Sequence, residues 1–482
     1  MVEPFGIAGR VGEERVELRL SRGLRSWPIR DTSGGIIASA HGFLVEGWLG
    51  AGLSVANGEI HTTAAISTPA DFEKKVIFGL CGLLLFETRG GALGRRLYPD
   101  CGGTIPIVYC AENRRFGASA NQIFDTAEYD RRLLQKRVDK LVNKEGQAGW
   151  ISGTLTAHAG TERLLANHYL DLDRFTAHRF WPHEEMLAAP PPTLTQAVET
   201  VAHAMEGFVE ALAGRHHVTI SLTAGVDSRL VLAASRKVMD RISAYTLSSG
   251  VETYDQTVPR KMCAALGIHH EILPIIVATA DEMEIWDREV GHAARSPNRT
   301  SYPTMARIDA DMALTGLFGE PARCFLYADE WRTIENAQAS PANILARLKQ
   351  PQDSEQEANV SAWLAPIAHL LRSVILDLAY IELRMSSWGM AQAPIQRTSL
   401  WMLMPFAQWS IQNIFLTLPV ELRTCEPVLR LIGNRLWPDA MEWPINAYGT
   451  WRDRLGPLNK LAQIDGLKTV QRYIRKRMAR QH

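Results

Sequence analysis

At 482 residues the chain exceeds what one typical hydrophobic core organises, and two domains are expected. Lysine plus arginine equals aspartate plus glutamate, 52 each, so no overall charge draws the protein to a nucleic acid or an anionic membrane. Hydrophobic residues at 46% and charged residues at 22% describe an ordinary globular protein. The start, Met1-Val-Glu-Pro-Phe-Gly6, has no basic region before an apolar stretch, and no run of about 18 apolar residues follows anywhere. Neither a signal peptide nor a membrane span is expected, and the expected location is cytoplasmic. Cys81, Cys101, Cys110, Cys263, Cys324 and Cys425 lack CxxC spacing, which fits buried thiols in a reducing compartment better than disulfides or zinc.

The first 60 residues alternate in short runs such as Arg15-Val-Glu-Leu-Arg-Leu20 and Gly34 to Glu46, broken by glycine and serine, and predict strands and turns. Phe78 to Glu87, Arg95 to Tyr109 and Arg115 to Ser119 predict consecutive hairpins whose apolar faces need a second layer. Tyr129 to Val142 carries apolar positions at helical spacing and predicts one solvated helix. Leu164 to Leu172 and Arg179 to Pro182 predict the last strands of this part. Ala188-Ala-Pro-Pro-Pro192 stiffens the chain and marks the boundary, giving domains 1–190 and 191–482. Thr193 with Gln196 forms a capping box for a helix through Leu212.

His217 to Ser221 is β-branched and apolar, and the Ala, Leu and Val residues up to Ala234 fall at helical spacing, so a strand turns directly into a helix. The turn Thr223-Ala-Gly-Val-Asp-Ser228 puts small residues, two hydroxyls and a carboxylate at a helix start. Such a start suits an anion, because backbone amides and the positive dipole end face it and Gly225 allows close approach. Asp227 is equally readable as a helix cap. Arg241 to Ser249 predicts a second strand, Asp255 to Leu266 a helix ended by Gly267, and His269 to Pro274 a third strand. This alternation implies a parallel sheet with ligands at the carboxyl ends of its strands. His269 and His270 are read as a strand entry, since no third metal ligand stands at a suitable spacing. Met312 to Arg323 is a strand entering a glycine-containing turn with a carboxylate at Glu320, which is either functional or a plain surface turn. Ala342 to Leu348, Pro366 to Trp388 and Trp401 to Leu418 predict helices. On the second of these Tyr380 and Arg384 share a face, with Glu382 nearby.

The order Thr223-Ala-Gly-Val-Asp-Ser228 resembles the S-G-G-x-D-S pyrophosphate loop of the N-type ATP pyrophosphatases, the family of asparagine synthetase B, β-lactam synthetase and the lasso peptide cyclases. Thr223 stands for the first serine and Ala224 for the first glycine. It is not a Walker loop, because no G-K-[ST] follows. Met312 to Arg323 is similar to the family's L-T-G-x-G-x-D-E segment, with Glu320 at the place of the aspartate, Phe318 at the second glycine and Pro321 at the final glutamate. Asp100, Gly103, Pro106 and Tyr109 match the glutaminase-like half of the asparagine synthetases. Met404-Pro-Phe406, Leu418-Pro419 and Leu429-Arg430 match the family's tail.

The resemblance implies an α+β, Ntn-type glutaminase-like sandwich followed by an α/β parallel-sheet ATP-pyrophosphatase domain with a helical C-terminal part. It implies ATP and Mg2+, the metal on Asp227 and Glu320, and the nucleotide on Ser221, Leu222, Thr223, Ala224, Gly225, Val226, Asp227, Ser228, Thr246, Ser248, Gly316 and Arg323. A working glutaminase of the family has cysteine at residue 2; Val2 stands here, so the first domain is expected to be scaffold or docking surface. Relatives that need no glutamine are β-lactam synthetase and the lasso cyclase. Met402 and Met404 stand near the Pro-Phe pair where the former has a glutamate, and Leu436 to Asn446 lacks its catalytic lysine. The expectation is therefore a lasso peptide cyclase that adenylates an Asp or Glu side chain and closes a macrolactam, with β-lactam synthetase-like chemistry as the alternative. A non-catalytic scaffold in a peptide-processing complex is the second alternative. Tyr380, Arg384 and Glu382 are the candidate catalytic residues, with Glu382 as the activating group. Arg323, Arg384 and Arg430 are charge partners or surface ion pairs. Expected partners are a precursor peptide, a leader-peptide-binding protein and a leader protease.

Overall fold

A computed structural model describes residues 5–13, 15–141, 149–295, 297–391, 395, 400–424, 427–450 and 453. Val2 and Cys425 lie outside them. Up to Arg179 the chain builds two sheets. In the first, the order is Glu162–Leu164, Ile107–Cys110, Arg115–Gly117, Ile7–Val11, Val16–Leu20, all antiparallel. The second has eight strands around the long pair Ile36–Leu49 and Leu80–Thr88, antiparallel except where Arg25–Arg30 meets Glu59–Thr62. Asp100, on the turn between Arg96–Pro99 and Ile107–Cys110, accepts the amides of Leu84, Gly102 and Thr104 and the Thr104 hydroxyl. Gly103 beside it takes the left-handed φ of 55° that such a turn requires. Burial pushes the Asp100 carboxyl up to about 6 despite these donors. The Asp100, Gly103 and Tyr109 signature is thus a hydrogen-bonded corner, with the Tyr109 hydroxyl on Glu162 at 2.8 Å.

A third sheet of five strands is wholly parallel, in the order His269–Pro274, Ile242–Ser248, Val218–Ser221, Met312–Leu314, Trp401–Leu403. Val218–Ser221 is its centre, so whatever follows that strand sits at the middle of the carboxyl edge. Thr193 and Gln196 do form a capping box on helix Leu194–Ala213. That helix packs on Ile36–Leu49: Gly207 leaves room for the Trp48 ring and Ala211 abuts Gly47. Trp48 Nε1 donates to Gln408 Oε1 at 2.8 Å, Trp181 Nε1 donates to Asn413 at 2.7 Å, and Trp181 meets Trp409 edge-on. One core runs from Phe5 to Met441 across all three sheets. Among the described residues no helix is long and apolar enough to cross a membrane, and Cys81, Cys101, Cys110, Cys263 and Cys324 are buried free thiols.

Four predicted elements differ. The single helix over 129–142 is two, Thr126–Arg132 and Gln135–Asp139, with Val142 outside the described residues. Between them Leu133 bridges His158 and the Leu134 amide donates to Ala157 O at 2.8 Å, so tertiary pairing overrides helical spacing. The strand over 164–172 is split by Asn167, at φ 65°, into Glu162–Leu164 and His168–Asp171, one in each N-terminal sheet. Trp401–Leu403 is a buried edge strand, and the helix begins only at Trp409. The helix over 366–388 is α-helical from Arg372 to Leu378 and π-helical over Ala379–Gly389.

Candidate functional site

The central strand ends at Ser221, and helix Val226–Ala234 starts five residues later with Gly225 as its cap. Gly225 has no side chain to satisfy the first turn, and Asp227 is the acidic residue within that turn. Local hydroxyls shape the turn instead. The Thr223 amide donates to Ser228 Oγ at 3.2 Å, the two hydroxyls lie 3.1 Å apart, and the Gly225 amide donates to Thr223 Oγ1 at 3.2 Å. Thr223 thus uses the hydroxyl it shares with the family's serine. Leu222, Ala224 and Val226 are buried, and the Leu222 amide is already bonded to Tyr245 O at 2.9 Å.

The neighbouring strand Met312–Leu314 delivers the second half of the site. A side chain at Gly316 would collide with the Ser228 amide and the Asp227 backbone at 2.6–2.8 Å, and one at Gly319 would meet Asp227 Oδ1 at 2.7 Å. Glycine at both positions lets this turn close on the helix start. Phe318, where the family has glycine, still adopts the left-handed conformation, at φ 71°. Its fully buried ring lies against Gly102, and its carbonyl accepts Gln412 Nε2 at 3.0 Å, so packing holds a backbone that its side chain disfavours.

Asp227, Glu320, Arg323, Tyr380 and Arg384 come together here. Arg323 Nε lies 3.2 Å from Asp227 Oδ2, and its Nη2 lies 3.8 Å from Glu320 Oε1. The Tyr380 hydroxyl faces Glu320; burial first, and then that carboxylate, raise the phenol well above its ordinary value and keep it protonated. Phe325, 38% exposed, stands edge-on to Tyr380 at 5.7 Å, with the guanidinium carbons of Arg323 and Arg384 at 5.0 and 5.2 Å from its ring centre. Arg384 also covers Trp388.

Glu382 does not join them. Two residues from Tyr380 it points to the other side of the helix. There it is wholly buried against Arg179 at 2.6 Å, accepting also from Asn167 Nδ2 at 3.0 Å and Trp363 Nε1 at 2.6 Å. Burial works to raise its pKa, but Arg179 and the other donors prevail and lower it. The reading of Glu382 as the activating group is corrected: it is a joint between the N-terminal sheets and the C-terminal helices. Thr246 and Ser248 are also occupied structurally. Thr246 Oγ1 donates to Leu222 O at 2.7 Å and sits 2.9 Å from His270 Nε2, while Ser248 Oγ accepts from Gln256 Nε2 and the Gly250 amide. Burial raises the Tyr245 phenol against the opposing influence of Ser221 beside it. His270 is pushed down to about 4 by burial, as befits a strand residue. Arg430 is exposed and acts electrostatically on Arg229.

Sequence reasoning missed three supports. Asp255 Oδ1 accepts the Ala224 amide at 3.0 Å, so that amide is already committed. Arg229, wholly buried, donates to the carbonyls of Trp443, Pro444 and Ala224, and the Asn446 amide closes on Ala224 O at 3.0 Å. The segment that lacks the family's lysine therefore does lie on the loop. Behind Glu320, Arg423 donates to Pro321 O, Tyr327 Oη and Asp377, a buried pair at 2.6 Å. Arg229 directly follows the loop and Asp255 opens the next long helix, each a weak signal; Arg423 and Asp377 carry none.

No group of three His, Cys, Asp or Glu suited to a metal occurs among the described residues. Two carboxylates drawn to one cation, with glycine beneath one of them, nevertheless suit magnesium, which takes one or two carboxylates and completes its shell with phosphate and water oxygens. Clefts of about 850 Å³, between Tyr109, His178 and Trp363, and about 400 Å³, between Trp27, Arg215 and Trp401, involve none of these residues. The convergence of charge, not volume, singles out the site.

No protein-family model matches the chain, and none of the curated proteins does. Among solved structures it is similar to the glutamine-dependent NAD+ synthetase of Acinetobacter baumannii in complex with ADP, at 15% identity and a TM-score of 0.18. That match covers 32% of this chain and 28% of the synthetase. A likeness so short carries no argument about activity, which rests on the site itself.

Proposed function

We propose that the chain is an ATP-dependent, AMP-forming amide ligase working at the turn 223–228. One observation carries the reading: Asp227 and Glu320 converge on one guanidinium beside a helix start, at the carboxyl edge of a parallel sheet. The helix start and Arg323 suit the β- and γ-phosphates, and Tyr380 and Arg384 suit the oxygens where charge develops. A carboxylate oxygen of the substrate attacks the α-phosphorus and pyrophosphate leaves. An amine then attacks the acyl carbon, gives up a proton, and AMP leaves with the acyl oxygen. Asp227 and Glu320 would hold magnesium, which when bound would neutralise charge on the phosphates.

For the substrate we propose the lasso form of this chemistry: an Asp or Glu side chain of a precursor peptide, joined to that peptide's N-terminal amine. A leader-binding protein and a leader protease would be the partners. Its support is in the sequence, where the glutamate and lysine of the β-lactam enzymes have no counterpart. The test is exchange of labelled pyrophosphate into ATP with synthetic precursor peptides, read beside small β-amino acids. Peptide-dependent exchange with loss of one water from the peptide mass is expected. Exchange only with small acids would move the reading to the β-lactam type, and none with either would leave a scaffold.

A further inference from the structure

The described site holds its own cation where the proposed chemistry needs another. Arg323 leaves the same short turn as Glu320, three residues on, and reaches across to Asp227 on the helix; its guanidinium lies within 3.2–3.8 Å of both carboxylates. Without a cation between them, two carboxylates at such range would repel, and the guanidinium removes that repulsion. The guanidinium thus stands next to both carboxylates, where a divalent ion shared by them would sit. Guanidinium and divalent ion cannot both sit there, since like charges a few ångströms apart in a half-buried site repel strongly.

We propose that Arg323 is an internal counter-cation of this site, which excludes a metal ion arriving alone and yields only to metal that comes with a nucleotide. The inference rests on the functional reading given above. A bare divalent ion must displace a cation and gains two carboxylates. A metal-bound triphosphate stays net negative after the ion's own charge is counted, so the displaced guanidinium acquires a new partner as it leaves. Phe325 marks the route: its ring is partly exposed and already has the guanidinium carbons of Arg323 and Arg384 at 5.0 and 5.2 Å from its centre, so an aromatic surface lies ready for the displaced side chain. Arg323 is in these terms a positioning residue that couples metal entry to nucleotide entry.

The experiment compares the full-length wild type with Arg323→Ala, and with Arg323→Gln in case the shorter side chain impairs folding. Free Mn2+ is titrated without nucleotide by electron paramagnetic resonance, and binding of Mg2+ with α,β-methylene-ATP, which cannot be cleaved to AMP, is followed by calorimetry. The variants are expected to bind Mn2+ alone roughly tenfold or more tightly than the wild type, and the magnesium–nucleotide analogue roughly tenfold or more weakly. Adding Asp227→Asn to either variant should abolish the gained Mn2+ affinity. A purely structural Arg323 would weaken both ligands, and unchanged Mn2+ affinity would likewise overturn the counter-cation. Failure of the wild type to bind the analogue would instead remove the nucleotide reading, a result that the Mn2+ comparison does not share.

Discussion

Glu320 and Glu382 are both buried glutamates near one helix, and they teach opposite lessons. Glu382 meets a guanidinium, an amide and an indole, each within 3.0 Å, and nothing remains for it to do except hold two layers together. Glu320 shares its guanidinium with Asp227 at looser distances, 3.8 and 3.2 Å, beside a phenol it keeps protonated. A carboxylate whose partners all close tightly is a joint. One that shares a cation with a second carboxylate is ready to exchange it.

That contrast breaks first at Glu382. Glu382→Ala leaves Arg179 buried without its partner, and the expected loss is about 3–5 kcal/mol in urea unfolding. Pyrophosphate exchange per folded molecule should stay level. The double replacement Glu382→Leu with Arg179→Leu should cost less than either change alone, which a thermodynamic cycle measures. Asp227→Asn should behave in the reverse manner, with unfolding unchanged and exchange reduced about 10²–10³-fold. A smaller effect is expected for Gly319→Ala, whose new methyl must push the Asp227 carboxylate aside: roughly ten- to hundredfold in exchange rate.

Two further changes test the frame around both sites. His158, its ring tilted against Tyr129 with centres 4.1 Å apart, is held by burial at about 3, below its unfolded value. Between those values the unfolded chain binds more protons. Stability is therefore present above about pH 6.5 and falls as pH drops, by up to roughly 1.4 kcal/mol per unit for this one group. Urea midpoints at pH 7 and pH 5 should show the fall, and His158→Phe should flatten it. Thr193→Ala, which opens a capping box on an exposed helix start, should cost about 1 kcal/mol and leave exchange alone.

The sequence is legible where local chemistry and tertiary structure agree. The strand–turn–helix at 218–234, the glycine-ended helix before His269 and the Thr193 box were all readable, because hydrophobic period and cap residues lie next to each other in the chain. Gathering Asp227, Glu320, Arg323 and Tyr380 required the resemblance, since more than 150 residues separate the first from the last. What stayed hidden is what neighbours decide. Glu382 reads like Tyr380 and Arg384 in one dimension, and only Arg179 and Trp363, from distant segments, reveal its task. Trp401–Leu403 looked helical because three residues carry too little periodicity to distinguish an edge strand.

Arg229 gives the assembly of this molecule an order. Its guanidinium lies in the core directly behind the turn, lowered to about 10 by that burial, and two of its acceptors are the carbonyls of residues 443 and 444. A growing chain that has not yet made those residues would have to bury an unsatisfied cation in order to close the turn, and such a state is costly. Cutting the chain before residue 443 should therefore loosen the turn around Asp227, which faster amide exchange at residues 223–228 would show.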